Sequence, residues 1–205
     1  EDADYDHHNG LEYIYTYLMG SRNWEADFGF LDLNAEIGRK FGSIGLAINS
    51  HHTIINISPA ENFNIQGAYV TDNMRLKINQ ICTLFYEKLG QHVPQANRSV
   101  AIAVNSAIPE HSGLGSGTQL TLTLGVALAK FHGVSIDTPL LAKELGRGKR
   151  SGIGIATFDY GGFVIDGGLK PEQTVPPVLA QLNFPEKWKI VLVMDPNQQG
   201  IHGSA

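Results

Sequence analysis

The residues of this chain best suited to chemistry lie close together between Ile108 and Ala129. Glu110, His111, Ser112, Ser116 and Thr118 are interleaved there with Gly113, Gly115 and Gly117. Glycines at this density let a backbone turn tightly and come close to a ligand. Hydroxyls and main-chain N–H groups supply donors, while the carboxylate and the imidazole could hold or move a proton. Such a set recognises an anion, most naturally a phosphate. Two better-known phosphate motifs are excluded. No lysine follows the glycines, and their alternate spacing differs from the dinucleotide fingerprint.

The flanking elements must aim this loop. The β-branched run from Ser99 to Asn105 predicts a strand leading into it, and residues 120–131 are apolar nearly all round, which predicts a buried helix leading out. The order strand, glycine loop, helix turns the unpaired N–H groups of the first helical turn toward the loop. Ser116, Thr118 and the glycines could merely cap the helix, but they exceed what a cap requires.

Elsewhere the chain reads as ordinary core. Residues 13–18 alternate tyrosines in a strand-like pattern, and Ile44 to Ile48 with Thr53 to Ile57 predict two strands around a turn that holds His51 and His52. Neither that pair nor His7 and His8 has further ligands at metal-binding spacing, so both read as polar surface. Residues 72–89 predict an amphipathic helix capped by Asp72 and ended by Gly90, with Met74, Ile78, Ile81, Cys82, Phe85 and Leu89 inward. Thr138 and Pro139 start another helix, reaching about Leu145. Lys143, Arg147, Lys149 and Arg150 then concentrate positive charge, which is a solvated face unless one of them meets the phosphate. Residues 152–156 and 161–166 read as a loop entering a strand, 171–185 as a proline-containing connection, and 188–194 as a buried strand.

At 205 residues, 42% hydrophobic and with a net charge of −5, the chain can bury a core and has no broad basic face. Nucleic acid and anionic membrane are therefore not expected as partners. One cysteine, Cys82, precludes an internal disulfide, no apolar run is long enough to span a bilayer, and the start of the chain is acidic where a signal peptide would be basic. A cytoplasmic setting fits these features.

The motif Pro109-x-x-x-Gly113-Leu114-Gly115-Ser116 resembles the phosphate loop of the GHMP small-molecule kinase superfamily. Its extension to Gln119, the segment from Arg150 to Gly168, the segment from Phe28 through Asp32, Asn34 and Gly38 to Ala47, and the stretch from Gly200 to Ser204 are similar to the β-ribofuranosylaminobenzene 5′-phosphate synthase family. That resemblance implies an α+β fold: a GHMP N-terminal domain of the ribosomal protein S5 domain 2-like type over residues 25–170. It also implies an unmatched segment over 1–24, and a connection with the start of a second, C-terminal GHMP α+β domain over 171–205.

The resemblance implies a transferase that joins phosphoribosyl pyrophosphate to 4-aminobenzoate, releasing pyrophosphate and CO₂ on the way to methanopterin, with Mg²⁺ as cofactor and a homodimer as the family's assembly. Gly113, Leu114, Gly115, Ser116, Gly117, Thr118, Gln119 and Arg150 would bind phosphate or substrate. Glu110, His111 and Asp159 are the candidate catalytic groups, and Ser116 and Asp32 the candidate Mg²⁺ partners, with Glu110 a further one. Two other functions compete with this one. An ATP-dependent GHMP kinase would need a carboxylate that residues 152–157 do not supply, and a non-catalytic ligand-binding remnant would account for Glu25 and Asp27, where the family carries other residues before Phe28-Gly29.

Overall fold

The computed structural model describes residues 15–17, 24–36, 38–48, 52–110, 114–185 and 187–192. Two four-stranded sheets enclose a helical layer. The first contains β1 (Tyr15–Tyr17), β4 (Ile54–Pro59), β6 (Val100–Ser106) and β5 (Asn64–Gln66), side by side in that order. The second contains β2 (Trp24–Asp32), β3 (Phe41–Ile48), β7 (Phe163–Asp166) and β8 (Val178–Leu182), again in spatial order. Between them lie α1 (Asp72–Lys88), α2 (Ser116–Phe131), α3 (Thr138–Glu144) and α4 (Ile153–Tyr160).

Strand β5 runs parallel to β6, so α1 is the crossover that parallel neighbours need. Its inward stripe is Met74, Ile78, Ile81, Cys82 and Phe85, as the periodicity predicts, while Leu89 falls just past the last turn and is half-buried against the same core. Burial pushes the Cys82 thiol up to about 12, which leaves it a packing group and not a nucleophile. The helix is capped by Thr71 and not by Asp72: the Thr71 hydroxyl accepts the Met74 amide at 3.0 Å. Asp72 instead supplies negative charge to the first turn.

Helix α2 is buried on both sides. Leu120, Leu124 and Leu128 join α1 and the first sheet through Ile55, Ile57, Ile102 and Val104, while Leu122 packs with Ala142, Ile155 and Phe158 toward α4. The residues around Gly125 show how closely the layers approach, since a Cβ there would stand 2.6 Å from the Leu145 side chain. That sandwich explains why the sequence of α2 is apolar nearly all round.

Several expectations are corrected. Strands β3 and β4 do not form a hairpin. β3 pairs with β2 and β7, and β4 with β1 and β6, because alternation identifies a strand without identifying its partner. Residues 153–160 are helical, not a loop entering a strand. Ile153 through Phe158 are all buried, and a short run that is apolar throughout carries no period to separate helix from strand. The proline-containing connection holds β8, which pairs antiparallel with β7 just after Pro176 and Pro177. Residues 188–192 are neither strand nor core: Trp188 is 68% exposed, with the Phe184 ring edge-on to it at 5.9 Å, and Val191 is 82% exposed. Met194, His7, His8, His51 and the stretch from Gly200 to Ser204 lie outside the described residues.

Phe85 is fully buried where α1 meets the first sheet and α2. Phe85→Ala is expected to destabilise the fold by about 3–5 kcal/mol, measured by urea unfolding.

Candidate functional site

The glycine loop is anchored on both sides of its turn. Leu114 packs with Ile108 and Ile48, so it is a core residue and not a ligand contact. Gly115 adopts φ +66°, which glycine reaches without strain, and its carbonyl accepts the amides of Thr118 and Gln119 at 2.9 and 3.0 Å. The Gln119 side chain points inward and donates to the Gly154 carbonyl of α4 at 3.1 Å. The amides of Ser116 and Gly117 remain as first-turn donors with no intrahelical acceptor, at the positive end of the α2 dipole.

A small cleft with room for about one water lies at this turn, bordered by Thr53, Met74, Lys77, Glu110, Ser116 and Gly117, and the surface it exposes is almost wholly apolar. Glu110 follows β6 and reaches across to α1. Its Oε2 accepts the Thr71 hydroxyl at 2.9 Å, and its Oε1 accepts Asn73 Nδ2 at 2.9 Å and Lys77 Nζ at 2.6 Å. Burial opposes ionisation of Glu110, but the hydrogen bonds from Lys77 and Thr71, the Lys77 charge and the Asn73 amide outweigh it and hold the carboxyl below its usual value. Asn73 and Lys77 stand one helical turn apart, so one face of α1 presents both.

Arg147 packs against the same turn of α2. Its Nε donates to Thr121 Oγ1 at 3.0 Å, and its guanidinium nitrogens lie 3.6 and 3.7 Å from where a Cβ on Gly117 would stand. Burial lowers its proton affinity without discharging it. Of the basic run, Lys143, Lys149 and Arg150 are exposed, and Arg147 is the member seated against α2.

The remaining candidates fall elsewhere. Asp159, at the end of α4, accepts the Thr138 hydroxyl at 2.6 Å at the start of α3 and does not line the cleft. Burial and the neighbouring Asp137 charge raise the Asp159 carboxyl despite the Thr138 bond. Asp32 closes the turn after β2, its Oδ1 accepting the amides of Asn34 and Ala35 at 3.1 and 3.0 Å, and does not line the cleft. His111 and Gly113 lie outside the described residues.

A second polar centre was not singled out from the sequence. Asp166 at the end of β7 is fully buried and receives the amides of Ser43, Gly152 and Gly168 at 3.2, 2.9 and 2.9 Å, together with the hydroxyls of Ser43 and Ser151. The Ser151 hydroxyl also accepts the Ile153 amide at 3.1 Å, which fixes the start of α4. The signal available in the sequence was an acid at the end of an apolar strand, followed by two glycines.

Residues 77–162 match the family described as GHMP kinases N terminal domain. The phosphomevalonate kinase of Streptococcus pneumoniae superposes over 78% of this chain and 48% of its own, with a TM-score of 0.56 at 15% identity, a likeness of fold. Residues 77–162 thus carry a GHMP kinase N-terminal domain, and the chain has the α+β fold of that superfamily. Within that superfamily it is a relative of the β-ribofuranosylphenol 5′-phosphate synthases. The enzyme of that name from Archaeoglobus fulgidus is 35% identical over 185 residues, covering 84% of this chain and 55% of the relative. The one from Methanothermobacter thermautotrophicus is 30% identical over 190 residues, covering 84% and 56%. The chain therefore spans about half the length of these curated relatives. Among the described residues no helix is long and apolar enough to cross a membrane.

Two outcomes follow. Asp166→Asn strands buried donors and should cost at least about 2 kcal/mol in thermal unfolding, more than Ser43→Ala, which removes one donor pair. Glu110 titrates below its usual 4.5 when folded, so between the folded and unfolded values the unfolded chain binds more protons. The stability it contributes is complete above about pH 4.5 and is lost as pH falls through the folded value. Glu110→Gln should flatten that part of an acid-unfolding curve.

Proposed function

We propose that this chain takes part in phosphoribosyl transfer to a para-substituted benzoate with loss of CO₂ and pyrophosphate. The observation that carries the reading is the α2 turn, where a glycine-rich segment leads into a helix whose first amides, those of Ser116 and Gly117, have no intrahelical acceptor. The names of the relatives support it. They specify a ribofuranosylphenol 5′-phosphate, so 4-hydroxybenzoate stands beside 4-aminobenzoate as the aromatic partner.

Either acid suits the chemistry. The ring carbon bearing the carboxylate attacks the ribose C1, the C1–O bond breaks with its electron pair leaving on pyrophosphate, and CO₂ departs in place of a proton as the ring regains aromaticity. The para hydroxyl or amino group supplies electron density. No strong base is needed at the attacking carbon, which agrees with the engagement of Glu110 and Asp159 by other partners. The protein's task is to stabilise charge on the departing pyrophosphate, and fixed N–H dipoles do so without reorganising.

Magnesium fits this cleft in a limited way. Among the described residues no three acidic, histidine or cysteine side chains gather to hold a metal, but a magnesium ion that arrives with a polyphosphate needs only one or two protein ligands. Ser116 lines the cleft and fits that role, directly or through water. Glu110 does not, because the Lys77 ammonium is bonded to one of its oxygens and Thr71 to the other, and Asp32 is not part of the cleft. When bound, the ion would neutralise charge on the pyrophosphate oxygens.

The test is release of labelled CO₂ from carboxyl-labelled 4-hydroxybenzoate and 4-aminobenzoate, each with phosphoribosyl pyrophosphate and Mg²⁺ and with each component omitted. Release that requires all three is expected, and the faster acid identifies the aromatic substrate. ATP binding with no affinity for phosphoribosyl pyrophosphate would replace this reading with a kinase.

A further inference from the structure

The C-terminal ends of α1 and α2 meet in a cluster of rings. The imidazole of His132, the residue after α2, lies edge-on to Tyr86 and Phe131, with ring centres 5.5 and 4.8 Å apart, and is stacked with the buried Phe85 at 6.3 Å. Its Nε2 is 2.9 Å from the Tyr86 hydroxyl oxygen, which also lies 3.3 Å from the Arg98 carbonyl. Arg98 stands over the Tyr86 ring, its Cζ 5.3 Å from the centre. The same guanidinium donates to the carbonyls of Gly90, Gln91 and Val93 and so closes the turn that follows α1.

Tyr86 has one proton for two acceptors. Burial, aided by Cys82 and opposed by Arg98, raises the phenol, so it keeps that proton and the state of His132 decides where it points. An imidazole with Nε2 bare accepts the hydroxyl. An imidazole protonated on both nitrogens donates from Nε2 instead and turns the hydroxyl to the Arg98 carbonyl. The titratable neighbours come from each side of the cluster: Tyr86 and the buried Cys82 on α1, His92 and Arg98 on the turn after it, and Lys130 on α2 itself. Among the described residues the charges that act on the imidazole are those of His92 and Arg98, and neither is a carboxylate that would welcome a proton there.

We propose that His132 and Tyr86 form a proton-sensitive catch between the C-terminal ends of α1 and α2, closed while Nε2 accepts the Tyr86 hydroxyl and released when a proton on Nε2 reverses that bond and sets a second cation beside Arg98. The turn from Gly90 to Arg98 is what the catch governs, because Arg98 holds that turn through three carbonyls while resting on Tyr86. Burial, His92 and Arg98 all hold the imidazole below its usual 6.5 in the folded chain. Between the folded value and 6.5 the unfolded chain therefore binds the extra proton. The catch contributes fully above about pH 6.5, and its contribution falls as pH drops below that. The two helices it joins carry Thr71 and Ser116 at their opposite ends, so it acts on the packing of the elements that border the cleft.

Nitrogen-resolved NMR of the imidazoles tests this first on the unaltered chain, with the His132 signal identified by its loss in His132→Gln. At pH 7.5 Nε2 should carry no proton, and the titration midpoint should lie below 6.5. Tyr86→Phe keeps the ring and removes the hydroxyl, so it should move that midpoint up toward 6.5, a change that ring packing alone would not produce. Amide hydrogen exchange, corrected for the intrinsic effect of pH, reads the turn: protection over residues 90–98 should fall about threefold or more between pH 7.5 and 5.5, and His132→Gln should abolish that dependence. A proton on Nε2 at pH 7.5, a midpoint at or above 6.5, or a midpoint unmoved in folded Tyr86→Phe would overturn the catch. So would protection of the turn that ignores pH in the unaltered chain, or that keeps its dependence on pH in His132→Gln.

Discussion

A carboxylate buried with no cation beside it is costly unless donors replace its water, and Asp166 meets that condition with main-chain amides and hydroxyls alone. The donors come from three separate pieces of chain: Ser43 in β3, Ser151 and Gly152 at the start of α4, and Gly168 just past β7. One side chain thereby sets where α4 begins relative to the second sheet. The Gly154 carbonyl of α4 in turn accepts the buried Gln119 amide, so the register set at Asp166 passes to the first turn of α2. The first turn of α2 is thus supported from the second sheet, by hydrogen bonds whose loss would leave donors in apolar surroundings.

The cleft is built by a different rule. Its polar groups come from the ends of elements: the cap and first turns of α1, the residues after β6 and the start of α2. Ends are where a helix has unpaired groups, so that is where a ligand can be satisfied without breaking internal bonds. Glu110 links two of these ends, and its three donors on α1 mean that the orientation of α1 and the electrostatics of the cleft are set by one residue.

How much of this was legible from the sequence depended on how local the physics was. The strand, glycine loop and helix around Gly115 were legible, as was the inward face of α1, because period and composition state them within a few residues. The α1 cap was misassigned by one residue, since Thr71 and Asp72 are both competent caps and only the bond to Met74 decides. The partners of β3 and β4, and the helical state of residues 153–160, depend on contacts far away in the chain. Lys77 was one of many helical lysines until Glu110 was seen beside it, and Asp166 was an acid in a glycine-rich motif until its donors converged. Arg147 lay within a noted charge run, but burial singles it out from its exposed neighbours.

The separation of Ser43 from Asp166 along the chain bears on how the molecule assembles. Strands β4, β5 and β6 with α1 close over short stretches, so the first sheet and its helix can form early. β3 must wait for β7, whose residues are made more than a hundred positions later, and until then one of its edges is open. During synthesis on the ribosome the second sheet is therefore the late-forming unit. Because the register of α4 is set only when Asp166 arrives, the first turn of α2 gains its final support last.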